Sequence, residues 1–260
     1  MIAQVRDVLS RYLELEEILL IQTPFVNHIQ NLEIDSFQDV DNAADIIRKK
    51  WKLGTDPIFN TIELLEDHFI KIVEVESTGA FDGLQTWVNE KVPVIAINVS
   101  KEVSNDRKRF TVLHELAHLL LPLHKVNPKL KEKYCHQFAA AMLLPRDAAI
   151  MELGKSRNKL MVQELGALKK QYGISIQAIV ARARDLNIIS ENYFKQFSFY
   201  INQMGWKSHE PYAYEGVEKS NRFEQLIFRA LAEELISFSK AAALCNLSVA
   251  EFKERLSRFV

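Results

Sequence analysis

Cysteine is nearly missing from this 260-residue chain, which has only Cys135 and Cys245. Two thiols make no framework of disulfides, so the usage fits a reducing cytosol and a cytoplasmic protein. Long apolar runs are missing as well. No stretch approaches the roughly 18 residues of a membrane span. The first residues, Met1-Ile2-Ala3-Gln4-Val5-Arg6-Asp7, carry early charges and no signal-peptide apolar core. Nor is there an excess of charge of one sign: 33 Lys and Arg against 34 Asp and Glu give a net charge of −1. That balance excludes a whole-protein field for nucleic acid and leaves only local patches. What is present is a 48% hydrophobic composition, that of an ordinary globular protein. Its length suits one large domain or two small ones.

Within it lies His114-Glu115-Leu116-Ala117-His118, an H-E-x-x-H pattern inside an apolar, helix-forming run over residues 110–121. Residues four apart share one face of a helix, so both imidazoles can grip one Zn²⁺ from the same side. Glu115, beside the first histidine, suits the water at such an ion better than the ion itself, as a general base would. Asp106 is the expected N-cap and Pro122 ends the run. The β-branched stretch Pro93-Val94-Ile95-Ala96-Ile97-Asn98-Val99 reads as a strand just before this helix. Its position suggests an edge along which a peptide substrate could lie.

Two histidines leave a zinc ion under-coordinated, so a further ligand is required. A second helix is expected over about 129–144. Cys135, Phe138, Ala139, Met142 and Leu143 form its apolar stripe, which should face the H-E-x-x-H helix. Glu132 continues that stripe one turn earlier, where an unpaired carboxylate is costly. His136 sits one turn later on the same face. Either Glu132 or His136 could complete the set. Cys135 is read as packing rather than ligation.

The two segments together, Arg109-Phe110-Thr111-x-x-His114-Glu115-Leu116-Ala117-His118-Leu119-Leu120 and Glu132-x-x-Cys135-x-x-Phe138-Ala139-Ala140-x-x-Leu143-Leu144-Pro145, resemble the ImmA/IrrE family of zinc metallopeptidases. The resemblance runs from about residue 43 to 145. It implies that His114, His118 and Glu132 ligate zinc and that Glu115 is the general base. The chain departs from the family pattern at His136, where Asn or Asp is usual. There a histidine would support a ligand through a hydrogen bond or become one itself.

The expected architecture is α+β: a small mixed sheet around a zincin-like H-E-x-x-H helix, followed by a mostly helical region. Residues 1–40 read as an N-terminal helix and linker, 41–145 as the zinc metallopeptidase domain, 146–220 as a helical region and 221–260 as a helix–turn–helix-like module. Helix 1–20 is equally suited to bind a partner or to dock on its own domain. A helix is expected over 41–53, capped by Asp41 and stopped by Gly54. Another is expected over 60–69. Strands are expected over 70–75, 81–88 (with a glycine bulge or bend) and 92–99. Gly173 and Ser175 mark a tight joint between two helices, with Arg182 and Arg184 adding local positive charge. Asn246 stands at the left-handed turn position of the second helix–turn–helix-like segment. Glu251 and Glu254 dilute the charge of its last helix, which favours protein contact over DNA.

The function expected is that of a gluzincin-like zinc metallo-endopeptidase acting on a protein partner. By resemblance that partner is an Xre-type transcriptional repressor in a stress, mobile-element or phage response. The chain starts close to where such a DNA-binding domain would be fused, which suggests a separately encoded partner. The alternative is an antitoxin-like or regulatory zinc-binding interaction protein with little or no proteolysis. DNA binding stays open without being favoured. Tyr134, His124, His136, Tyr193, Tyr200 and His209 are all candidates to stabilise the oxyanion.

Overall fold

The computed structural model of the chain describes residues 2–22, 24–77, 81–207 and 209–257. The described residues form three strands and twelve helices, an α+β fold. Strands β1 (Lys71–Val75), β2 (Gly83–Val88) and β3 (Val92–Asn98) make one mixed sheet in the order β1-β3-β2. β3 pairs parallel with β1 and antiparallel with β2. The strand expected to offer an edge is therefore the middle of the sheet, and the edge beside the metal helix belongs to β2. β3 is buried from Pro93 onward, as a strand covered on both faces must be. The register runs without a skip from Gly83 opposite Ile97 to Val88 opposite Val92, so Gly83 marks no bulge.

The pleat sends alternate side chains to opposite faces. Ile72, Ile95 and Ile97 join the main core, together with Val112, Leu113 and Leu116 of α4 (Asn105–Leu120) and Cys135, Phe138 and Met142 of α5 (Pro128–Leu143). Val73, Val75, Val94 and Ala96 face the other way, onto Val5 and Leu9 of α1 (Ile2–Ile18). The same stripe continues along α1 to Tyr12 and Leu15, and with Leu19 just past its end packs against Leu226, Ile227, Ala242 and Phe252 of the C-terminal helices. The N-terminal helix thus docks within its own chain by one face, its first half on the sheet and its second half on the C-terminal helices. Those C-terminal helices are α10 (Arg222–Ala232), α11 (Phe238–Leu244) and α12 (Val249–Ser257).

The second helix, α2 (Phe37–Lys50), begins four residues before the expected start. Ser36 and Asp39 form a capping box there, and this stronger signal leaves Asp41 inside the helix. The stretch before it is no free linker, since Ile29 and Ile34 are buried in the main core. Asp41 is buried and receives Arg182 at 2.6 Å and Gln137 at 2.6 Å. Because Gln137 follows His136 on α5, this network fixes the rotation of α5 about its axis. Arg182 is consequently a paired core residue, and Arg184 pairs with Asp185 at 2.6 Å. The local positive charge expected beside the joint at Gly173 is neutralised. The joint itself forms as its residues dictate: Gly173 takes φ 61° and ends α7 (Val162–Tyr172), and Ser175 caps α8 (Ile176–Asp185).

After α9 (Glu191–Gln203), residues 209–221 run back across the fold without regular structure. Glu210 pairs with Lys169 at 2.9 Å, and Asn105 donates to the Gly216 carbonyl at 2.7 Å. Glu218 pairs with Arg109, both fully buried. Asn246 takes φ 55°, the left-handed turn conformation expected of it. No helix among the described residues is long and apolar enough to cross a membrane.

Candidate active site and metal centre

α4 and α5 pack side by side and bring four of the singled-out residues together. The Nε2 atoms of His114 and His118 lie 3.2 Å apart. Glu132 places one carboxylate oxygen 3.2 Å from His114 Nε2 and the other 3.5 Å from His118 Nε2. Donors held about 2.0–2.1 Å from a tetrahedral ion stand about 3.3 Å from one another. The two nitrogens, with one Glu132 oxygen facing each, therefore stand at separations close to those between zinc donors. The donor set, two imidazoles and one carboxylate, is also that of an open zinc site rather than a closed structural one.

Electrostatics keep the donors available. Burial pushes the His114 imidazole down to about 4, aided by the neighbouring His136 and His118. Burial likewise lowers His118, so both rings are neutral at pH 7 and offer lone pairs. The Cys135 thiol is pushed up to about 12 by burial and then by Glu132. It stays protonated, and its sulfur lies 3.5 Å from His118 Nδ1, where it can accept that ring's proton. Cys135 thus packs behind the site and steadies a histidine. His114 Nδ1 is buried and has no hydrogen-bond partner among the described residues.

Glu115 sits one residue along α4, with its carboxyl raised to about 7, first by burial and then by Glu132. The edge strand comes very close at this point. A Cβ at Gly83 would lie 2.7 Å from Thr111 Cγ2 and 3.1 Å from Glu115 Cγ. Glycine is what lets β2 lie against α4 beside Glu115. Arg107 ties the start of that strand to the helix through Asp82 at 2.7 Å. Asn98 secures the chain before it, donating to the carbonyls of Ser77 and Phe81, each at 2.9 Å. The α4 N-cap is Ser104, not Asp106. Asp106 lies in the first turn and pairs with Lys169 at 3.1 Å.

His136 is exposed, with its ring stacked on Phe110 at 5.7 Å and its centroid 4.5 Å from that of His114. One of its nitrogens lies within 4.8 Å of the donor atoms of His114 and Glu132. Among the other oxyanion candidates, Tyr134 and Tyr193 have their hydroxyls engaged elsewhere. The Tyr134 hydroxyl donates to the Asp35 carbonyl at 3.0 Å, and the Tyr193 hydroxyl bonds Leu160. Tyr200 packs edge-on against Trp206.

Sequence reasoning missed Gly83, Asn98 and Asp41. Gly83 carries a signal, a glycine near the start of an alternating strand, but that signal points to a bulge or bend rather than to the close approach of α4. Arg109, the first residue of the quoted motif, proves to be architectural. It donates to the Ile58 carbonyl at 2.6 Å and to the Tyr214 hydroxyl at 3.0 Å while paired with Glu218.

Residues 66–184 match the model of the IrrE N-terminal-like domain, Peptidase_M78. No curated protein matches the chain. Among solved structures, a Mycobacterium tuberculosis transcriptional regulator aligns at 15% identity with a TM-score of 0.38, covering 66% of this chain. The alignment spans about half of that regulator, 51% of its length. The matched segment of this chain runs from the end of α3 (Thr61–Asp67), through the sheet and the paired helices α4 and α5, into α8. The segment 66–184, whose helices build this site, thus carries an IrrE N-terminal-like, Peptidase_M78 domain, in keeping with the ImmA/IrrE family that the motifs resemble.

Proposed function

We propose that this chain is a zinc-dependent endopeptidase that cleaves a protein partner. The observation that carries the reading is the zinc-like spacing of the His114 and His118 nitrogens and the Glu132 carboxylate facing both, with Glu115 beside them. When bound, zinc supplies Lewis acidity that polarises the scissile carbonyl and acidifies the attacking water. Glu115 takes one proton from that water as its oxygen adds to the carbonyl carbon. It then delivers the proton to the nitrogen as the C–N bond breaks. Among the described residues β2 pairs with β3 alone, so its outer backbone edge is open to a substrate beside Glu115, and Gly83 keeps that edge within reach. The family resemblance supplies the finer expectation of a separately encoded Xre-type repressor as substrate. We read the three-helix module of α10 to α12 as a contact for protein. Glu251 caps the first turn of α12 through Ser248, where a DNA-reading helix would meet phosphate and base edges.

The test combines metal content with cleavage. Glu115→Gln keeps one equivalent of zinc and loses proteolysis. His118→Ala and Glu132→Ala lose zinc. Cleavage by Glu115→Gln near the wild-type rate removes Glu115 from the base role. Full zinc in Glu132→Ala, with loss in His136→Ala, overturns the ligand set.

One observation favours a second reading, a regulatory zinc-binding protein with little proteolysis. A nitrogen of His136 stands close enough to His114 and Glu132 to supply a fourth protein donor after a small ring movement. A site closed in that way would be structural. His136→Ala would then weaken zinc binding while leaving partner capture by other surfaces intact.

A further inference from the structure

An aromatic pair on the free edge of the sheet has no part in the chemistry above. The Asn98 N–H donates to the Asp82 carbonyl at 3.0 Å. Hydrogen bonding alternates along an antiparallel ladder, so Leu84, Thr86 and Val88 also turn their backbone groups inward to β3. Gly83, Gln85 and Trp87 therefore turn theirs outward, to the open edge. These same three residues present their side-chain positions on the α4 face. Gly83 abuts Thr111 and Glu115 there, whereas Leu84 and Val88 pack on the α1 face.

Trp87 stands on that face, 38% exposed, with the ring of Phe25 edge-on to it at 5.6 Å. Phe25 is anchored by packing on the main core. Asn27 holds the same segment to the end of α4 by donating to the Leu120 carbonyl at 2.9 Å. The aromatic corner is thus fixed at the far end of the strand that begins beside Glu115. At about 3.4 Å per residue, it lies roughly 14 Å from Gly83.

We propose that Trp87 and Phe25 form a substrate subsite for a bulky apolar or aromatic side chain, about four residues to the N-terminal side of the cleaved bond. The inference rests on the peptidase reading. An extended segment pairs with a free edge most stably in the antiparallel sense. Its N-terminal part then lies at Trp87 and its C-terminal part at Gly83. Residues directly opposite across the pair share a face, so the side chain opposite Trp87 falls into the aromatic corner. The residue opposite Gly83 lies beside Glu115. An exposed tryptophan on a free edge otherwise invites aggregation, and a defined occupant accounts for its place there.

The test incubates the zinc-loaded full chain with a library of short unstructured peptides randomised at every position. Cut sites are then sequenced by mass spectrometry. Phe, Tyr, Trp, Leu or Met should be enriched roughly tenfold about four residues before the cut. Trp87→Ala should flatten that position alone, Phe25→Ala should weaken it, and Trp87→Phe should keep it. A flat profile in the wild type, or an unchanged profile in Trp87→Ala, overturns the subsite. If no peptide is cut, the peptidase reading fails on its own. The same library is then panned on immobilised wild-type and Trp87→Ala chains. Retention of aromatic peptides that disappears with Trp87→Ala supports the subsite, and equal retention overturns it. A dimer that Trp87→Ala dissociates would show that a second copy covers the edge, which also overturns it.

Discussion

Replacing Gly83 with alanine tests the closest approach in the fold. The residue does not use the left-handed region, so space alone decides the outcome. The new Cβ would stand 2.7 Å from Thr111 Cγ2, 3.1 Å from Glu115 Cγ and 3.4 Å from the Ala96 carbonyl oxygen. Neither side yields easily. β2 is held in register by β3, and α4 is buried along its inner face by Val112, Leu113 and Leu116. Overpacking of this kind costs about 1–3 kcal/mol. At about 2–4 °C per kcal/mol for a chain of this size, the thermal midpoint should fall by several degrees. Thr111→Ser deletes the contacted methyl, which removes the shortest of the three contacts and leaves the Glu115 contact in place. The Gly83→Ala, Thr111→Ser pair should therefore recover much of the loss, with a coupling of about 1 kcal/mol or more in a double-mutant cycle. Circular-dichroism melts at fixed protein and zinc concentration would measure all four chains. A Gly83→Ala melt at the wild-type midpoint, or a cycle with no coupling, would refute the close approach.

Two further outcomes concern buried charge. Glu218→Gln leaves the Arg109 guanidinium, fully buried, without its counter-charge. Stability in chemical denaturation should fall by about 3–5 kcal/mol, and a loss under about 1 kcal/mol would show that the pair is not sealed from water. Glu66, buried with one oxygen receiving the Ser220 hydroxyl at 2.7 Å, has its carboxyl pushed by burial to about 7 from the ordinary 4.5. The folded state therefore holds this proton more tightly than the unfolded state. The corresponding stability is fully present below pH 4.5 and is lost as pH rises through about 7. Stability should decline by up to about 3 kcal/mol between pH 5 and pH 8 from this group. Glu66→Gln should flatten that window, and an unchanged slope would assign the dependence to other groups.

Local periodicity carried most of the architecture. The strands, the paired helices and the joint at Gly173 all follow from patterns a few residues long. The shared face of His114 and His118 is written in their spacing. The meeting with Glu132 is written less directly, in a charge placed on an apolar stripe. What was illegible depends on distant partners. Pro93 to Asn98 reads as a strand in any position, and only pairing on both sides makes it central. Asp41 looks like a helix cap until Ser36 and Asp39 claim that role and Arg182 arrives from 141 residues away. Arg109 belongs to a motif beside the metal helix, yet its partner is Glu218, 109 residues on. Gly83 shows the same limit, because its reason is a neighbouring helix rather than its own strand.

The docking of α1 on the C-terminal helices has a consequence for biosynthesis. Tyr12, Leu15 and Leu19 are translated long before their cover, Leu226 to Phe252. The sheet and the α4–α5 pair can assemble long before that, and Val5 and Leu9 can settle on the sheet as soon as β1 and β3 exist. Until those helices are made, the second half of the α1 stripe has no partner. Contacts this remote in sequence close slowly, and the uncovered stripe is the place for a chaperone to hold the nascent chain or for aggregation to start.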